Sequence, residues 1–251
     1  VVALLIFSML ICLERFGVIR TSTKTSSPDL TMTGFSDEVS TTAECLLLTS
    51  SQADATDQNA LSEMEFVLDN MKVSYEVYNV DDGSYTNELK KFSKAVITVQ
   101  DWDFLGTGIT AVQSWVNNGG SLMNCVQPER TANFNAMTAQ IGIASISYEM
   151  TTVNGLKPAA GFMIGADGNT SFSIGDGEEN PGDVFYEVTL DDSSVVHVGT
   201  DDGHTQFLWE RSYGNGKYIL LNDPMGDRHN RGFLCAAYTC MSDDYLWPVI
   251  E

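Results

Sequence analysis

The sequence predicts an α/β fold: a parallel sheet flanked by helices, with a β-rich carboxyl-terminal extension. Three observations predict it. Short apolar runs recur at 45–51, 94–101 and 121–126, as expected of strands covered on both faces of a parallel sheet. Segments with helical spacing of apolar residues separate them. Beyond residue 140, glycine-containing turns punctuate runs of strand formers.

Taken in order, CLLLTSS (45–51) is the first strand, and DATDQNALSEMEFVLDNM (54–71) is a helix that carries Leu61, Met64, Phe66, Val67, Leu68 and Met71 near helical spacing. VSYEVYNV (73–80) alternates like a strand and ends in the turn Asp81-Asp82-Gly83. YTNELKKFS (85–93) reads as a short helix, KAVITVQD (94–101) as a buried strand, and GITAVQSWVNN (108–118) as a helix stopped by Gly119-Gly120. SLMNCV (121–126) is the fourth strand, and a helix follows around Glu129 to Gln140. Right-handed crossovers between such units place helices on both faces of one sheet.

The remainder contains turns at Gly155, Asp167-Gly168, Asp176-Gly177, Asp201-Asp202-Gly203 and Gly214-Asn215-Gly216. TQFLWERSYGNGKYILLND (205–223) predicts a β-hairpin, because Gly-Asn-Gly lies between two runs of strand formers. This β-rich extension is expected to sit on the α/β sheet.

Upstream of the domain, VVALLIFSMLICL (1–13) has Ser8 as its one polar residue, and Glu14 and Arg15 end the run. A helix of that length rises roughly 20 Å, against a hydrocarbon core of roughly 30 Å. Residues 1–20 are read as a membrane anchor truncated upstream, with a signal-peptide core or a buried helix as the alternatives; no A-x-A-like cleavage site follows. The domain is then expected on the extracytoplasmic side, although Arg15, Arg20 and Lys24 run against that orientation. Residues 21–43, rich in Ser and Thr, read as a tether, and residues 44–251 as the folded domain.

With 34 acidic and 13 basic side chains, the formal net charge is −21, which excludes nucleic acid as a partner. Between Lys157 and Arg211 there is no lysine or arginine, whereas eleven carboxylates occur, so this region is strongly negative. These acids lie in turns without EF-hand spacing and read as solvated. His197, His204 and His229 lack metal-ligand spacing, so neither a metal nor a cofactor is expected. Gly106 to Ala111 fits G-x-G-x-x-A but begins too far beyond its strand for a dinucleotide fingerprint.

Parallel α/β sheets hold ligands beyond the carboxyl ends of their strands. The candidate crevice lies beyond the first, third and fourth strands and is lined by Ser50, Ser51, Asp101, Asp103, Cys125 and Gln127. Cys125 is a candidate nucleophile, at the end of a strand with a helix after it, and His229 is its candidate base. A nucleophile elbow needs small residues two positions to either side, and here stand Met123 and Gln127. Asp223 and Asp227 read as turn residues rather than as a third member of a triad. Cys125 is therefore expected to be a buried small hydrophobe. Cys235 and Cys240, five apart, would point to different faces of a helix, so their spacing predicts no disulfide.

The order of elements, VNNGGSLMNCV (116–126), IGI (141–143) and YGNGKYILLN (213–222) resemble the class I glutamine-amidotransferase-like fold, a flavodoxin-like relative. The closing stretch GKYILLNDPMGDRHNRGFLCAAYTCMSDDYLWPVIE (216–251), together with anchor and tether, resembles the bacterial domain-of-unknown-function family 2194. That resemblance implies a membrane-anchored amidotransferase-like domain that precedes a polysaccharide-deacetylase-like domain, in some members within exopolysaccharide gene clusters. The deacetylase would begin just after Glu251. The missing elbow glycines and the lack of a His-x-Glu pair depart from the amidotransferase pattern, so the expectation is a non-catalytic accessory domain. Its expected partners are a polysaccharide or the subunits of a membrane synthase. Two other readings stay open: a cysteine-dependent hydrolase or amidotransferase relative using Cys125 and His229, and a structural interaction domain of a membrane synthase complex.

Overall fold

The computed structural model describes residues 43–153, 155–162, 166–173, 183–201, 203, 205–223 and 231–242. The expected anchor, the tether up to Thr42, the Asp176-Gly177 turn, Asp202, His204, Asp227 and His229 lie outside them. Among the described residues no helix is long and apolar enough to cross a membrane.

Each parallel strand alternates its side chains between two apolar layers. In β1 (Cys45–Thr49), Cys45 and Leu47 face one layer while Leu46 and Leu48 face the other. The first layer contains the buried face of α1 (Ala55–Met71), through Met64, Val67 and Leu68, and that of α5 (Arg231–Cys240), through Phe233, Leu234 and Ala237. The second contains Tyr85 of α2 (Tyr85–Glu88), Val112 and Val116 of α3 (Ile109–Asn117), and Phe134 of α4 (Ala132–Met137). Helices therefore cover both faces, as the crossover rule requires. Local chemistry sets the helix ends: Asp54 accepts the Asp57 N–H at 2.9 Å to cap α1, and Lys72 closes it with a left-handed φ of 61°.

The remaining strands are β2 (Tyr75–Asn79), β3 (Lys94–Ile97), β4 (Ser121–Asn124), β5 (Ile143–Val153), β6 (Gly155–Pro158), β7 (Phe172–Ser173), β8 (Asp183–Leu190), β9 (Ser194–Thr200), β10 (Gln206–Tyr213) and β11 (Gly216–Leu221). One sheet runs β2-β1-β3-β4-β11-β10-β9-β6-β7. Its first five strands pair in parallel and the rest antiparallel. Strands β5 and β8 form a separate antiparallel ribbon.

Three expectations need correction. The β-rich extension does not lie on the sheet; most of it continues the sheet edge to edge. The reason is β11, whose Tyr218 and Leu220 fill one layer and Ile219 and Leu221 the other, a burial available only to an interior strand. The strand expected to run through Asp101 ends at Ile97, where the Thr98 N–H and hydroxyl both donate to the Leu48 carbonyl at 3.0 Å. The helix expected from Glu129 to Gln140 is shortened to α4, because Thr131 caps it by accepting the Phe134 N–H at 3.3 Å.

The two glycine-bearing motifs interlock. The Asn215 N–H donates to the Asn117 carbonyl at 2.9 Å, and the Lys217 N–H to that of Gly120 at 3.2 Å. A Cβ on Gly216 would collide with the carbonyl oxygens of Val116 and Gly120, so only glycine lets the hairpin approach the end of α3 this closely.

Candidate functional site

Strand order reverses between β1 and β3, since the chain goes from β1 outward to β2 and then returns to the other side of β1. Such a reversal parts the loops that follow the two strands and opens a crevice at their carboxyl ends. Ser50 and Ser51 lie there as expected, but both are tied to a residue that the sequence reading passed over. The Ser50 hydroxyl donates to Asp81 Oδ1 at 2.6 Å, the Ser51 N–H donates to Oδ2 at 3.0 Å, and the Ser51 hydroxyl bonds the same oxygen. The hydroxyls of Ser50 and then Ser51 hold the Asp81 carboxyl below the usual carboxylate range. Next to it, Ser84 donates its hydroxyl to Asp82 at 2.8 Å and its N–H at 2.9 Å, and lowers that carboxyl in the same way. Asp81-Asp82-Gly83 had carried only a turn signal.

These carboxylates form one wall of an open groove of about 480 Å³. The opposite wall is the segment Phe104 to Gly108, within a 3₁₀ stretch that follows β3. Gly106 has a φ of 53° and nothing within 4 Å of a would-be Cβ, so its backbone faces open space. Thr86 and Thr107 supply hydroxyls, Phe104 an aromatic side chain, and among the described residues no lysine, arginine or histidine lines the groove.

Asp101 and Asp103 lie beyond β3 and act as caps. Asp101 accepts the Asp103 N–H at 2.8 Å; Asp103 accepts the Asn133 N–H at 2.7 Å and the Ala132 N–H at 3.3 Å at the start of α4. Asn133 in turn donates to the carbonyls of Trp102 and Gly106 at 3.0 and 3.1 Å, which fixes the groove wall to α4.

Cys125 and Gln127 lie on the closed side of the crevice. Cys125 is 0% exposed and its Sγ lies 3.8 Å from the Ala60 carbonyl oxygen. Burial pushes its thiol far above the ordinary range, and the Asp57 carboxylate adds to the effect. Strand β4 ends at Asn124 and α4 begins only at Ala132, so the sulfur is not on a tight strand-to-helix turn. Gln127 donates its N–H to the Asp223 carbonyl at 2.6 Å and its amide to Asn222 Oδ1 at 2.8 Å. Asn124 donates to the Val126 and Leu221 carbonyls, both at 2.7 Å, and accepts the Leu221 N–H at 2.9 Å. These amides join β4 to β11. The expected base, His229, lies outside the described residues.

Between the two sides, Asp57 accepts the Gln100 N–H at 2.8 Å. Burial raises the Asp57 and Glu129 carboxyls above their usual range, and neighbouring carboxylates, Asp101 among them, push the same way. Among the described residues no three His, Cys, Asp or Glu side chains are arranged to hold a metal ion.

Comparison with protein families decides the relationship. The family model described as an uncharacterised protein conserved in bacteria, DUF2194, matches residues 3–179, more than half of the chain. The chain belongs to the DUF2194 family. No curated protein matches this DUF2194 sequence. Its fold is similar to that of a ThuA-like protein from Bacteroides uniformis, with a TM-score of 0.56, 10% identity, and coverage of 78% of this chain and 90% of the other. Cytoplasmic protein STM1381 from Salmonella typhimurium gives a TM-score of 0.55 at 10% identity, with 79% of this chain and 99% of that one covered. A β-galactosidase from Bacillus circulans gives 0.51 at 13% identity; 78% of the DUF2194 chain aligns, to 30% of the enzyme's length. At such identities the likeness is one of fold alone.

Proposed function

We propose that this DUF2194 chain is a non-catalytic accessory domain of a membrane-anchored, polysaccharide-deacetylase-like protein. In this reading it has an amidotransferase-like version of the α/β fold, lies on the extracytoplasmic side, and holds a glycan during exopolysaccharide synthesis or modification. The observation that carries the reading is a contrast at the strand ends. The sulfur at position 125 is sealed and held protonated, whereas the open groove between the segments that follow β2 and β3 is lined by Asp81, Asp82, two threonines and Phe104. Such a lining can accept hydrogen bonds from a polyol and pack against its C–H face, and among the described residues it pairs no nucleophile with a base.

The test is a titration of the protein with hexosamine oligosaccharides, followed by calorimetry or by shifts of backbone amide resonances. Weak binding that falls as salt is raised from about 20 to about 200 mM is expected, because the attraction is between exposed charges. Absence of binding to any glycan, with the protein folded, would refute it.

A further inference from the structure

The groove between the Asp81–Gly83 turn and the Phe104–Gly108 segment has a composition that reaches further than glycan binding in general. Resting on the accessory-domain reading, we propose that this groove is the saccharide subsite and that it takes a hexosamine in its free-amine form in preference to the N-acetylated form.

Four observations converge. The groove, at about 480 Å³, is of the size of small-ligand sites and lies at the carboxyl ends of the parallel strands, between the segments that follow β2 and β3. Its polar wall is preorganised: Asp81 is held by two serines from the end of β1, and Asp82 by Ser84, so neither carboxylate has to be ordered when a ligand arrives. Both carboxyls lie below their usual range, so the wall is doubly negative at neutral pH, and among the described residues no lysine, arginine or histidine lines the groove to offset it. The facing wall includes the half-buried Phe104 and the unencumbered backbone at Gly106.

An ammonium group placed against Asp81 and Asp82 gains Coulomb attraction, which a neutral acetamide cannot, and the acetamide carbonyl oxygen would face two carboxylates as a third acceptor. Uronates and phosphorylated sugars are repelled by the same wall. The hydroxyls of a pyranose donate to the carboxylates and to Thr86 and Thr107, while the C–H face of the ring lies on Phe104. A net charge of −21 adds long-range attraction for a cationic chain. In these terms the groove recognises the product of deacetylation and not its substrate.

The experiment compares a glucosamine trimer, an N-acetylglucosamine trimer and trilysine at about pH 6, where amines are protonated. The glucosamine trimer is expected to bind roughly tenfold or more tighter than its acetylated counterpart, a difference of about 1.4 kcal/mol. Asp82→Asn should bring the ratio toward one at an unchanged unfolding midpoint, and Phe104→Ala should weaken both sugars. Thr107→Trp fills the groove from an exposed position and should abolish both.

Equal or tighter binding of the acetylated trimer overturns the preference while leaving the accessory reading intact. Glycan binding that survives Thr107→Trp overturns the location and leaves that reading intact. Trilysine binding as well as the glucosamine trimer overturns the saccharide assignment. Failure of both sugars to bind the folded protein removes this proposal and the accessory reading together.

Discussion

Cys125 shows how far a single side chain can be judged before its surroundings are known. Its flanking residues, Met123 and Gln127, speak against an elbow, and the structure adds full burial with Sγ against the Ala60 carbonyl. Thiol chemistry measures this directly. Burial pushes Cys45 and Cys240 up to about 12 and Cys125 higher still, whereas Cys235 is partly exposed. Alkylation of the native protein at about pH 8 should therefore modify Cys235 well ahead of the other three described cysteines, as mass spectrometry of the digested protein would show. Rapid labelling of Cys125 would reopen the hydrolase reading. Asp57 gives a second prediction. Its carboxyl is raised chiefly by burial, so the folded protein resists its ionisation and loses stability as pH rises through the carboxylate range. Asp57→Asn keeps an oxygen to accept the Gln100 N–H while removing the charge. Its unfolding midpoint should exceed that of the wild type at pH 7, and the advantage should vanish below about pH 3.9, where the unfolded chain is protonated too. The candidate site was legible at this scale only as positions. Ser50, Ser51, Asp101, Asp103 and Gln127 fall at strand ends because topology puts them there. Their partners Asp81, Asn133 and Asn222 are 30 to 95 residues away along the chain, and no local pattern announces such bonds.

At the scale of elements, the amino-terminal half reads well because β1, β3 and β4 are covered on both faces and its helices begin and end with recognisable chemistry. Asp54 caps α1, and Gly119 ends α3 with a φ of 116°. One cap is imperfect: Lys72 adopts φ 61°, a conformation that costs a residue with a Cβ about 1 kcal/mol. Lys72→Gly should raise stability by up to about 1 kcal/mol in chemical denaturation, less whatever its Nζ contributes by donating to the Asp69 carbonyl at 3.0 Å. Phe134 gives the opposite case. It is buried edge-on against Trp102 at 5.3 Å between centroids, and Phe134→Ala should cost about 3–4 kcal/mol. What the sequence could not reveal was the neighbour of β11. The Gly-Asn-Gly turn specifies the β10–β11 hairpin, since that pairing is local, but nothing within it says which strand lies along its other edge. That information resides in Asn124, whose amide answers Leu221, and in the glycine at 216 that allows the close approach.

For the molecule as a whole, charge is the dominant variable. A net −21 on 251 residues makes the compact state repel itself, while ion pairs among the described residues, such as Lys91–Glu88 and Arg211–Asp191, neutralise only part of it. Raising NaCl from about 10 to about 200 mM should raise the unfolding midpoint in calorimetry, since screening then acts over roughly 8 Å or less. A fall would mean that attractive pairs outweigh the repulsion. The placement of β11 also orders events in time. A ribosome delivers β4 almost one hundred residues before the strand that must lie beside it, and until then one margin of the growing sheet is bare. The early half of this polypeptide thus carries an unpaired strand edge during its synthesis, and a chain cut short before Gly216 is expected to be prone to self-association and degradation.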